Sequence, residues 1–382
     1  MDTLKILHVS DNGLPDTRIE KSAISAKKRG HEVYFAGGTS LNVNHFITSF
    51  DRDKIFTLNW NSRARYYYEK EWNAVKKQLT NIIKDCKPDL IHAHDVFAGK
   101  MCKQLVFDSK EIPMVYDSHE FWMYYVDFQY LENEYFKNID PKHKDIPRLW
   151  RQWEIEIVDA GIPVITISQK AKEVYNNIGN DNAFVVPNYP AREETRNIPE
   201  PRMHDNFASV FVNGGKPPSG NEVPLRDIDG FLDLFNKNRD LGPLRTIGWG
   251  HPSGDGLVPY GALNRQQMYR VLCESDIGII PWKPHPFHPY CSPNKAYEYA
   301  HAGLLPIIPA SLKTVMNDLN GMAITFTTYD NLRNLITLFR NHPFRNDPDI
   351  LHDHRSKIYR HARDYLTWDN YEGNIFDAYK AL

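Results

Sequence analysis

The chain has 382 residues, of which 41% are hydrophobic and 25% are charged, and its formal net charge is −2. This composition is typical of globular proteins, and a length beyond one ordinary hydrophobic core predicts two domains. The near-neutral charge excludes a general electrostatic attraction to nucleic acid or to an anionic membrane.

The cysteines and the N-terminus predict a reducing, cytoplasmic location. Cys86, Cys102, Cys273 and Cys291 are scattered without C-x-x-C spacing, which argues against a zinc ribbon or a disulfide framework. The first residues, MDTLKILHVSDN, read as a strand and lack the apolar core of a signal peptide. No stretch approaches 18 apolar residues, so we expect no membrane span, while peripheral contact with the inner face of a membrane stays open.

Apolar runs alternate with amphipathic segments along nearly the whole chain, a pattern typical of parallel sheets built from β-α units. The first predicted strand, LKILHVS, is followed by a helix, DTRIEKSAISAKKRG, with Asp16 as N-cap and Gly30 as its end. Further strands are predicted at HEVYFAGG, DLIHAHD, PMVYDSHE, VITIS and AFVVPN.

The polar, proline-containing segment at residues 191–202 reads as an interdomain linker. The alternation then restarts, with strands predicted at SVFVNGG, LRTIGWG, DIGIIPW, LLPIIP and GMAITF, and helices in RDIDGFLDLFNKN, NRQQMYRVLCES, PNKAYEYAHA and NLRNLITLFRN. The ending, HARDYLTWDNYEGNIFDAYKAL, reads as two helices that separate near residues 366–368. The sequence therefore predicts two doubly wound α/β units.

Ligands of doubly wound sheets lie beyond the carboxyl ends of the strands, so the residues at these ends are candidate binding residues. Polar residues and glycines follow the predicted strands in both halves: Gly13, His94, Asp95, His119, Glu120, Ser168, Asn188, Asn213, Gly214 and Gly215. Any single one of them is equally well explained by a turn or a helix cap, as for Ser168 and Asn188. Together they indicate a binding site where two sheets face each other.

The segment SPNKAYEYAHAGLLPII, residues 292–308, predicts a short helix with an anion-binding start. Ser292 is a favourable N-cap and Pro293 suits the first helical position, whereas Gly303 suits the left-handed position that ends a helix. The free N–H groups and the positive dipole end of such a helix bind phosphates well.

One acidic residue in this segment carries the functional hypothesis. Glu298 lies one turn after Asn294 and Lys295, on the same helix face. Its carboxylate can accept hydrogen bonds from a diol while the helix start holds a phosphate. An ordinary surface helix with a Glu–Lys pair is the alternative.

The chain resembles family 4 glycosyltransferases over nearly its whole length. The resemblance rests on DTRIEKSAISAKKRGHEV, PDLIHAHD, VYDSHEFW, ITISQKAKEVY, VVPNYP, DIGIIPW and SPNKAYEYAHAGLLPII, which occur in the family's order. It implies the GT-B fold, an α/β architecture in which two Rossmann-like doubly wound domains face a central cleft. The implied domains are residues 1–190 and 203–366, and a final helix at 367–382 crosses back onto the first.

The resemblance also implies a retaining glycosyltransferase that moves a sugar from a nucleotide-diphosphate-sugar to an acceptor hydroxyl. Glu298 would bind the ribose, Lys295 would lie beside the diphosphate, and His119 would face the transferred sugar, which makes these three the expected catalytic residues. Lys216 and Arg226 are candidates for cations that neutralise the diphosphate. The remaining expected donor-binding residues are Gly13, Asn213, Gly214, Gly215, Gly248, Tyr260, Tyr290, Ser292, Pro293 and Asn294.

The acceptor side is expected around residues that follow the strands of the first domain: His94, Asp95, Glu120, Phe121 and Trp122. The aromatic segment FWMYYVDFQYLENEYF, residues 121–136, could stack a sugar, a lipid headgroup or a base, and buried packing explains it equally well. The acceptor is a glycan, a lipid-linked molecule or another hydroxyl compound, with nucleic acid a minority alternative.

One departure from the family leaves other functions open. Many relatives carry a glutamate eight positions before Glu298, and here that residue is Tyr290. A non-catalytic nucleotide-sugar-binding protein and a nucleotide-sugar 2-epimerase on the same fold are therefore the alternatives. The histidine clusters HAHD, HPFH and HDH lack helical i,i+4 spacing and a clear third ligand, so we expect neither a metal nor a cofactor besides the donor, with UDP-sugars favoured.

Overall fold

The computed structural model describes residues 3–38, 48–65, 67–124, 146–202, 207–212, 228–248, 254–341 and 348–382. The chain divides into two compact units, one of Met1–Pro187 with Tyr371–Leu382 and the other of Asn188–Asn370. The segment read as a linker, 191–202, lies inside the second unit, and the chain re-enters the first unit at Tyr371. In the part of the chain that the structure describes, no helix is both long and apolar enough to cross a membrane.

The first unit contains a parallel sheet and the helices that cover it. Its strands are β1 (Lys5–Ser10), β2 (Glu32–Gly37), β3 (Ile55–Thr57), β4 (Leu90–His94), β5 (Met114–Ser118), β6 (Val164–Thr166) and β7 (Ala183–Val185). Its helices before the second unit are α1 (Thr17–Lys28), α2 (Ser62–Arg65), α3 (Glu69–Cys86), α4 (Asp95–Cys102), α5 (Ile146–Asp159) and α6 (Gln169–Asn177).

The second unit repeats this alternation. Its strands are β8 (Ser209–Val212), β9 (Leu244–Ile247), β10 (Leu257–Pro259), β11 (Ile277–Ile279), β12 (Leu305–Pro309) and β13 (Ile324–Phe326). Its helices are α7 (Arg192–Thr195), α8 (Ile228–Lys237), α9 (Arg265–Cys273), α10 (Asn294–His301), α11 (Lys313–Asp318), α12 (Tyr329–Asn341) and α13 (Pro348–Tyr365). The last helix, α14 (Gly373–Lys380), belongs to the first unit.

Both sheets are parallel and doubly wound, as the sequence predicts. The strand order is β3-β2-β1-β4-β5-β6-β7 in the first sheet and β10-β9-β8-β11-β12-β13 in the second. The order reverses between β1 and β4 and between β8 and β11, and sheets of this kind bind ligands beyond the strand ends at such a reversal. The carboxyl edge of each sheet, at the point where its strand order reverses, is therefore the candidate site.

The predicted strands and helices in the described residues are confirmed, whereas two short edge strands escaped prediction. β3 and β10 have three residues each, and their mostly exposed or half-buried side chains give no apolar run. The predicted ends of α1 are confirmed: Asp16 accepts hydrogen bonds from the backbone N–H groups of Arg18 and Ile19, and Gly30 has φ +85°. Asp16 thereby satisfies N–H groups that a helix start leaves without partners.

A fully buried arginine ties the last long helix of the second unit to its sheet. Arg355 of α13 donates through Nη1 to Asp276 Oδ1, at 2.9 Å, just before β11. Its Nε donates to the carbonyl of Gly303, at 2.7 Å, and its Nη2 to that of Ser275, at 3.0 Å. A buried charge is tolerated only when it is paired and hydrogen-bonded in this way, so Arg355 acts as an anchor.

We predict that Arg355→Met lowers the free energy of unfolding by about 3–5 kcal/mol, because the buried Asp276 would lose the guanidinium that donates to it. Urea-induced unfolding measures the change. The matched control is Arg360→Met on the same helix, whose side chain is exposed and whose loss should change stability by less than about 0.5 kcal/mol. Equal unfolding midpoints for the two variants would contradict the anchoring role.

Candidate functional site

The strand register of the first sheet brings four ionisable side chains to one face near its carboxyl edge. His8 of β1 pairs with His92 of β4, and His94 of β4 pairs with Asp117 of β5. Side chains two residues apart on a strand point to the same face, so this group forms a continuous polar stripe. All four are at most 1% exposed.

The charge of Asp117 is balanced by Arg18 from α1. The guanidinium donates through Nε and Nη2, with Nη2 2.7 Å from Asp117 Oδ1, and its Nη1 donates to the carbonyl of Val186 at 2.7 Å. Burial alone would raise the pKa of Asp117, but Arg18 and His119 hold it well below its usual range. Asp117 therefore remains a carboxylate inside the protein.

His119, which follows β5, is positioned between two carboxylates. Its Nδ1 lies 3.7 Å from Asp95 Oδ2 and its Nε2 lies 3.5 Å from Asp117 Oδ2. Burial by itself would lower the pKa of His119, but the charges of Asp95 and Asp117 raise it to about 9. His119, whose side chain is 14% exposed, is therefore a cation at neutral pH.

A chain of hydrogen bonds leads from His119 into the sheet. His119 Nε2 lies 2.9 Å from His94 Nδ1, and His94 Nε2 lies 2.9 Å from His8 Nδ1. Because the charged His119 donates, His94 must accept at Nδ1 and carry its own proton on Nε2, which it donates to His8. Burial lowers the pKa of both His94 and His8, so both remain neutral.

Asp95 fixes the loop that carries His119. Its Oδ1 accepts hydrogen bonds from the backbone N–H groups of His119 and Glu120, at 3.0 and 3.3 Å, and from Trp122 Nε1, at 3.1 Å. Asp95 has φ +62°, a left-handed conformation that is uncommon outside glycine. Such strain persists where the surroundings over-determine it, and it is typical of functional sites.

A third carboxylate, Asp11, follows β1 at the same edge. Its Oδ2 lies 2.9 Å from Arg65 Nη2, and burial raises the pKa of Asp11 to about 6 although Arg65 opposes the rise. The charges of Asp95 and His119 also act on it. The edge of the first sheet thus combines acidic groups of different pKa with one imidazolium.

The aromatic residues after His119 are packed inside the first unit. Phe121 is 1% exposed and contacts the ring of Tyr175, and Trp122 is 8% exposed and contacts Phe97. Glu154 of α5 accepts the Met123 backbone N–H at 2.5 Å and so holds this loop down. For residues 121–124 these contacts agree with buried packing, the alternative that the sequence left open, whereas residues 125–136 of the aromatic segment lie outside the described residues. Glu120 is half-buried.

Two groups in the described residues have the ligand atoms of a metal site. His94, Asp117 and His119 form one, and His8, His92 and His94 form the other, each with its ligand atoms within 4.8 Å of one another. An ion in the first group would replace the His94–His119 hydrogen bond and would share Asp117 with Arg18. The hydrogen bonds from His119 through His94 to His8 favour a relay of imidazoles over a bound ion.

In the second unit, helix α10 begins one residue later than predicted. Ser292 is not its N-cap: the helix begins at Asn294 after Pro293, and no side chain caps it. The Ser292 hydroxyl instead donates to Tyr297 OH, at 3.2 Å, and accepts from the backbone N–H of Asn188, at 3.3 Å. The start of α10 therefore keeps N–H groups that a bound anion can accept from.

A tyrosine fixes α10 against the sheet. Tyr299 OH accepts from the backbone N–H of Val212, at 2.9 Å, and donates to the carbonyl of Ile279, at 3.1 Å, so it joins the ends of β8 and β11. The ring lies so close to Gly278 that a Cβ there would be 2.4 Å from it. Gly303 ends the helix with φ +66°, as predicted.

Glu298 is buried and belongs to an ion triad. Its Oε1 lies 2.5 Å from Arg265 Nη1, and Arg265 also pairs with Glu194 of α7. Burial alone would lower the pKa of Arg265, but the two carboxylates raise it. Glu298 Oε2 has no partner among the described residues, so one oxygen of the carboxylate remains available to a ligand.

The other described residues expected to bind the donor lie at separate places, most of them around the second sheet. Lys295 of α10 has its Nζ 5.4 Å from the ring centre of Phe211 and 5.8 Å from that of Trp282. Gly248 follows β9 with φ +126°, Tyr260 follows β10 and is 36% exposed, and Tyr290 ends a single helical turn before α10. Gly13 lies in the first unit, between β1 and α1.

Some expected donor residues fall outside the described residues: Asn213, Gly214, Gly215, Lys216 and Arg226. Their predicted roles stay predictions.

Several residues of the two sites escaped the sequence reading. Asp117 and Arg18 carried a usable signal, since a charge inside an apolar strand or on the buried face of a helix indicates an internal ion pair. Arg265 and Glu194 carried none, because they come from helices that lie 33 and 104 residues from Glu298 in the sequence. Only the fold brings such side chains together.

Comparison with known proteins supports the family resemblance in the first part of the chain. Residues 21–189 match the model of Glycosyltransferase Family 4. The resemblance that the sequence motifs indicated is therefore confirmed for these residues. No curated protein matches the sequence.

Solved structures similar to the chain share its fold. Sucrose-phosphate synthase from Thermosynechococcus elongatus matches with a TM-score of 0.68 and 13% identity, covering 99% of this chain and 98% of the other. HepE from Anabaena, in complex with UDP and glucose, matches at 0.65 and 13%, covering 99% and 100%. A putative UDP-N-acetylglucosamine 2-epimerase from Listeria monocytogenes matches at 0.54 and 11%, covering 100% and 96%. The chain has the GT-B fold, as predicted.

We predict that the His119 imidazole is protonated at pH 7 and titrates near pH 9, because Asp95 and Asp117 flank it. Since this folded-state pKa lies above the unfolded value of 6.5, the stabilisation is complete below pH 6.5 and is lost as the pH rises through 9. NMR of 15N-labelled histidine measures the titration.

Asp95→Asn should lower the His119 pKa by about one unit or more, whereas Asp108→Asn, an exposed control, should leave it unchanged. A His119 that is neutral at pH 7 in the folded wild type would overturn this assignment.

Proposed function

We propose that the protein is a retaining glycosyltransferase that moves a sugar from a nucleotide-diphosphate-sugar to an acceptor hydroxyl. The observation that carries the proposal is α10, which combines an uncapped N-terminus with a buried Glu298 that keeps one oxygen available. This helix follows β11, so its start lies at the carboxyl edge of the second sheet. The family match at residues 21–189 supports the same reaction class.

The donor would be held by complementary charges on α10. Glu298 Oε2 accepts hydrogen bonds from the ribose hydroxyls, while the N–H groups at the helix start and the Lys295 ammonium bind the diphosphate. Arg265 orients the Glu298 carboxylate by donating to Oε1, which leaves Oε2 to the ribose. Lys216 and Arg226 are proposed as further partners of the diphosphate.

The chemistry then consists mainly of stabilising the leaving group. Negative charge grows on the nucleotide diphosphate as the bond to the sugar breaks, and preorganised cations and N–H groups stabilise it. These groups carry the required positive charge without a metal ion, so we propose a metal-independent reaction with no cofactor besides the donor.

The first unit would bind the transferred sugar and the acceptor. His119 is charged at neutral pH, so we assign it as a hydrogen-bond donor to a sugar oxygen rather than as a general base. Asp95 positions its loop, and Glu120 offers a carboxylate to an acceptor hydroxyl. The buried His94, Phe121 and Trp122 would support this surface from below.

UDP is the nucleotide that we favour, because HepE, which shares the fold, was crystallised with UDP and glucose. A 2-epimerase is a second candidate, since a putative UDP-N-acetylglucosamine 2-epimerase also shares the fold. An epimerase would convert a UDP-sugar without any acceptor, and a non-catalytic binder would never turn over. Incubating UDP-sugars with and without hydroxyl acceptors separates the three.

Glu298→Gln is predicted to weaken UDP binding about 10- to 100-fold, because a hydrogen bond to a charged oxygen is stronger than one to an amide. The glutamine keeps the size of the side chain, and Arg265 retains Glu194 as its partner, so the fold should persist. Isothermal titration calorimetry measures the affinity, and circular dichroism checks the fold.

Glu274→Gln provides the matched control, since Glu274 is exposed on the same unit and should leave the affinity unchanged. Wild-type affinity in Glu298→Gln would refute the proposed ribose contact.

His119→Gln is predicted to keep UDP affinity within about threefold and to lower kcat at least about 100-fold, as expected for a donor that acts in the transition state. Release of UDP from UDP-glucose, measured in the presence of EDTA, reports turnover even without the natural acceptor. His352→Gln, on α13, is the control and should retain activity. If His119→Gln and wild type turn over equally, or if EDTA abolishes turnover, the corresponding part of the mechanism is wrong.

A further inference from the structure

A cavity of about 790 Å³ in the second unit shares no lining residue with the donor site. It is formed by α7 and by the end of α13 with the residues that follow. Its charged and hydroxyl-bearing side chains include Arg192, Glu193, Arg196, Arg363, Asp364 and Thr367. The volume lies within the range of pockets that bind small molecules, about 300–1,000 Å³.

Two of the three arginines of this cavity are held in place by neutral partners. Arg363 Nη1 donates to Tyr359 OH, at 2.7 Å, and its guanidinium lies 5.3 Å from the centre of that ring. Arg192 Nη2 donates to Asn370 Oδ1, at 2.6 Å. Among the residues that the structure describes, none of the three arginines pairs with a carboxylate, so their remaining N–H groups are available to a ligand.

One carboxylate of α7, that of Glu194, is taken up by other partners. Glu194, between Glu193 and Thr195, is paired with Arg265 and also accepts the Ala191 backbone N–H at 2.8 Å. Glu193 and Asp364 line the cavity but form no ion pair within the described part of the chain. The lining therefore combines an excess of positive charge with two carboxylates that can accept hydrogen bonds.

A buried hydroxyl provides an independent indication of a ligand. Thr367 is 1% exposed, and its Oγ1 has no hydrogen-bond partner in the described residues. A buried polar group without a partner costs about 1–3 kcal/mol, and most such groups in folded proteins are satisfied. An oxygen atom of a ligand in the cavity would complete the bonding of Thr367.

We propose that this cavity binds a phosphorylated polyol, such as a sugar phosphate. The guanidinium groups of Arg192, Arg196 and Arg363 would hold the phosphate, because planar N–H pairs match phosphate oxygens in bidentate fashion. Glu193 and Asp364 accept hydrogen bonds from the hydroxyls of the ligand, and Thr367 bonds one of its oxygens. The site does not depend on the reaction proposed above.

The test titrates the full-length protein with glucose 6-phosphate, inorganic phosphate and glucose by calorimetry, with UDP present to occupy the donor site. We expect glucose 6-phosphate to bind with a Kd below about 1 mM, inorganic phosphate more weakly, and glucose weakest of all. Arg196→Gln and the double variant Arg196→Gln/Arg363→Gln should weaken glucose 6-phosphate binding about tenfold or more.

Arg333→Gln, an exposed arginine on α12, is the matched control and should bind like wild type. Arg196 is exposed and forms no ion pair with the described residues, so the single variant should keep its fold and remains informative if the double variant does not. Absence of binding, equal affinity for glucose and glucose 6-phosphate, or wild-type affinity in Arg196→Gln would overturn the proposal.

Discussion

The buried charge of Asp117 organises the carboxyl edge of the first sheet. A carboxylate in this position is costly unless cations and hydrogen bonds surround it, and the chain supplies Arg18 from α1 and His119 from the following loop. Together with Asp95, this charge keeps His119 protonated, and the protonated His119 fixes the proton positions of His94 and His8 behind it. Two internal anions thus determine the charge state of His119, which follows this stripe and is partly exposed.

The second unit has the opposite arrangement of charges, with one cation between two carboxylates. Arg265 is a half-buried cation between the carboxylates of Glu194 and Glu298, and the Glu298 side chain itself is almost inaccessible. Because Arg265 takes one oxygen only, the triad retains an unsatisfied acceptor, which suits a ribose diol. The proposed contacts to the sugar ring of the nucleotide and to its phosphates would therefore both come from one short helix, α10.

Much of the fold, and the positions of several candidate site residues, could be predicted from local sequence patterns. The alternation of strands and helices, the Asp16 cap, the Gly303 end of α10 and the positions of His119 and Glu298 after or beside strand ends all follow from residues close in sequence. Ser292 shows where local preference misleads: it has the right residue type for a cap, but its hydroxyl bonds Tyr297 and the backbone of Asn188 instead. Tertiary partners outcompeted the helix end for the same oxygen.

By itself, the sequence determined two doubly wound units, the edges at which ligands bind and the reaction class that its motifs resemble, because these depend on periodicity and on short segments. The tertiary structure alone decided which charges meet. Arg18 reaches Asp117 across 99 residues and Arg265 reaches Glu298 across 33, and the pKa values of Asp117 and Arg265 depend on such distant neighbours. Charge states depend on burial and on the neighbours that the fold brings close, and local sequence patterns reveal neither.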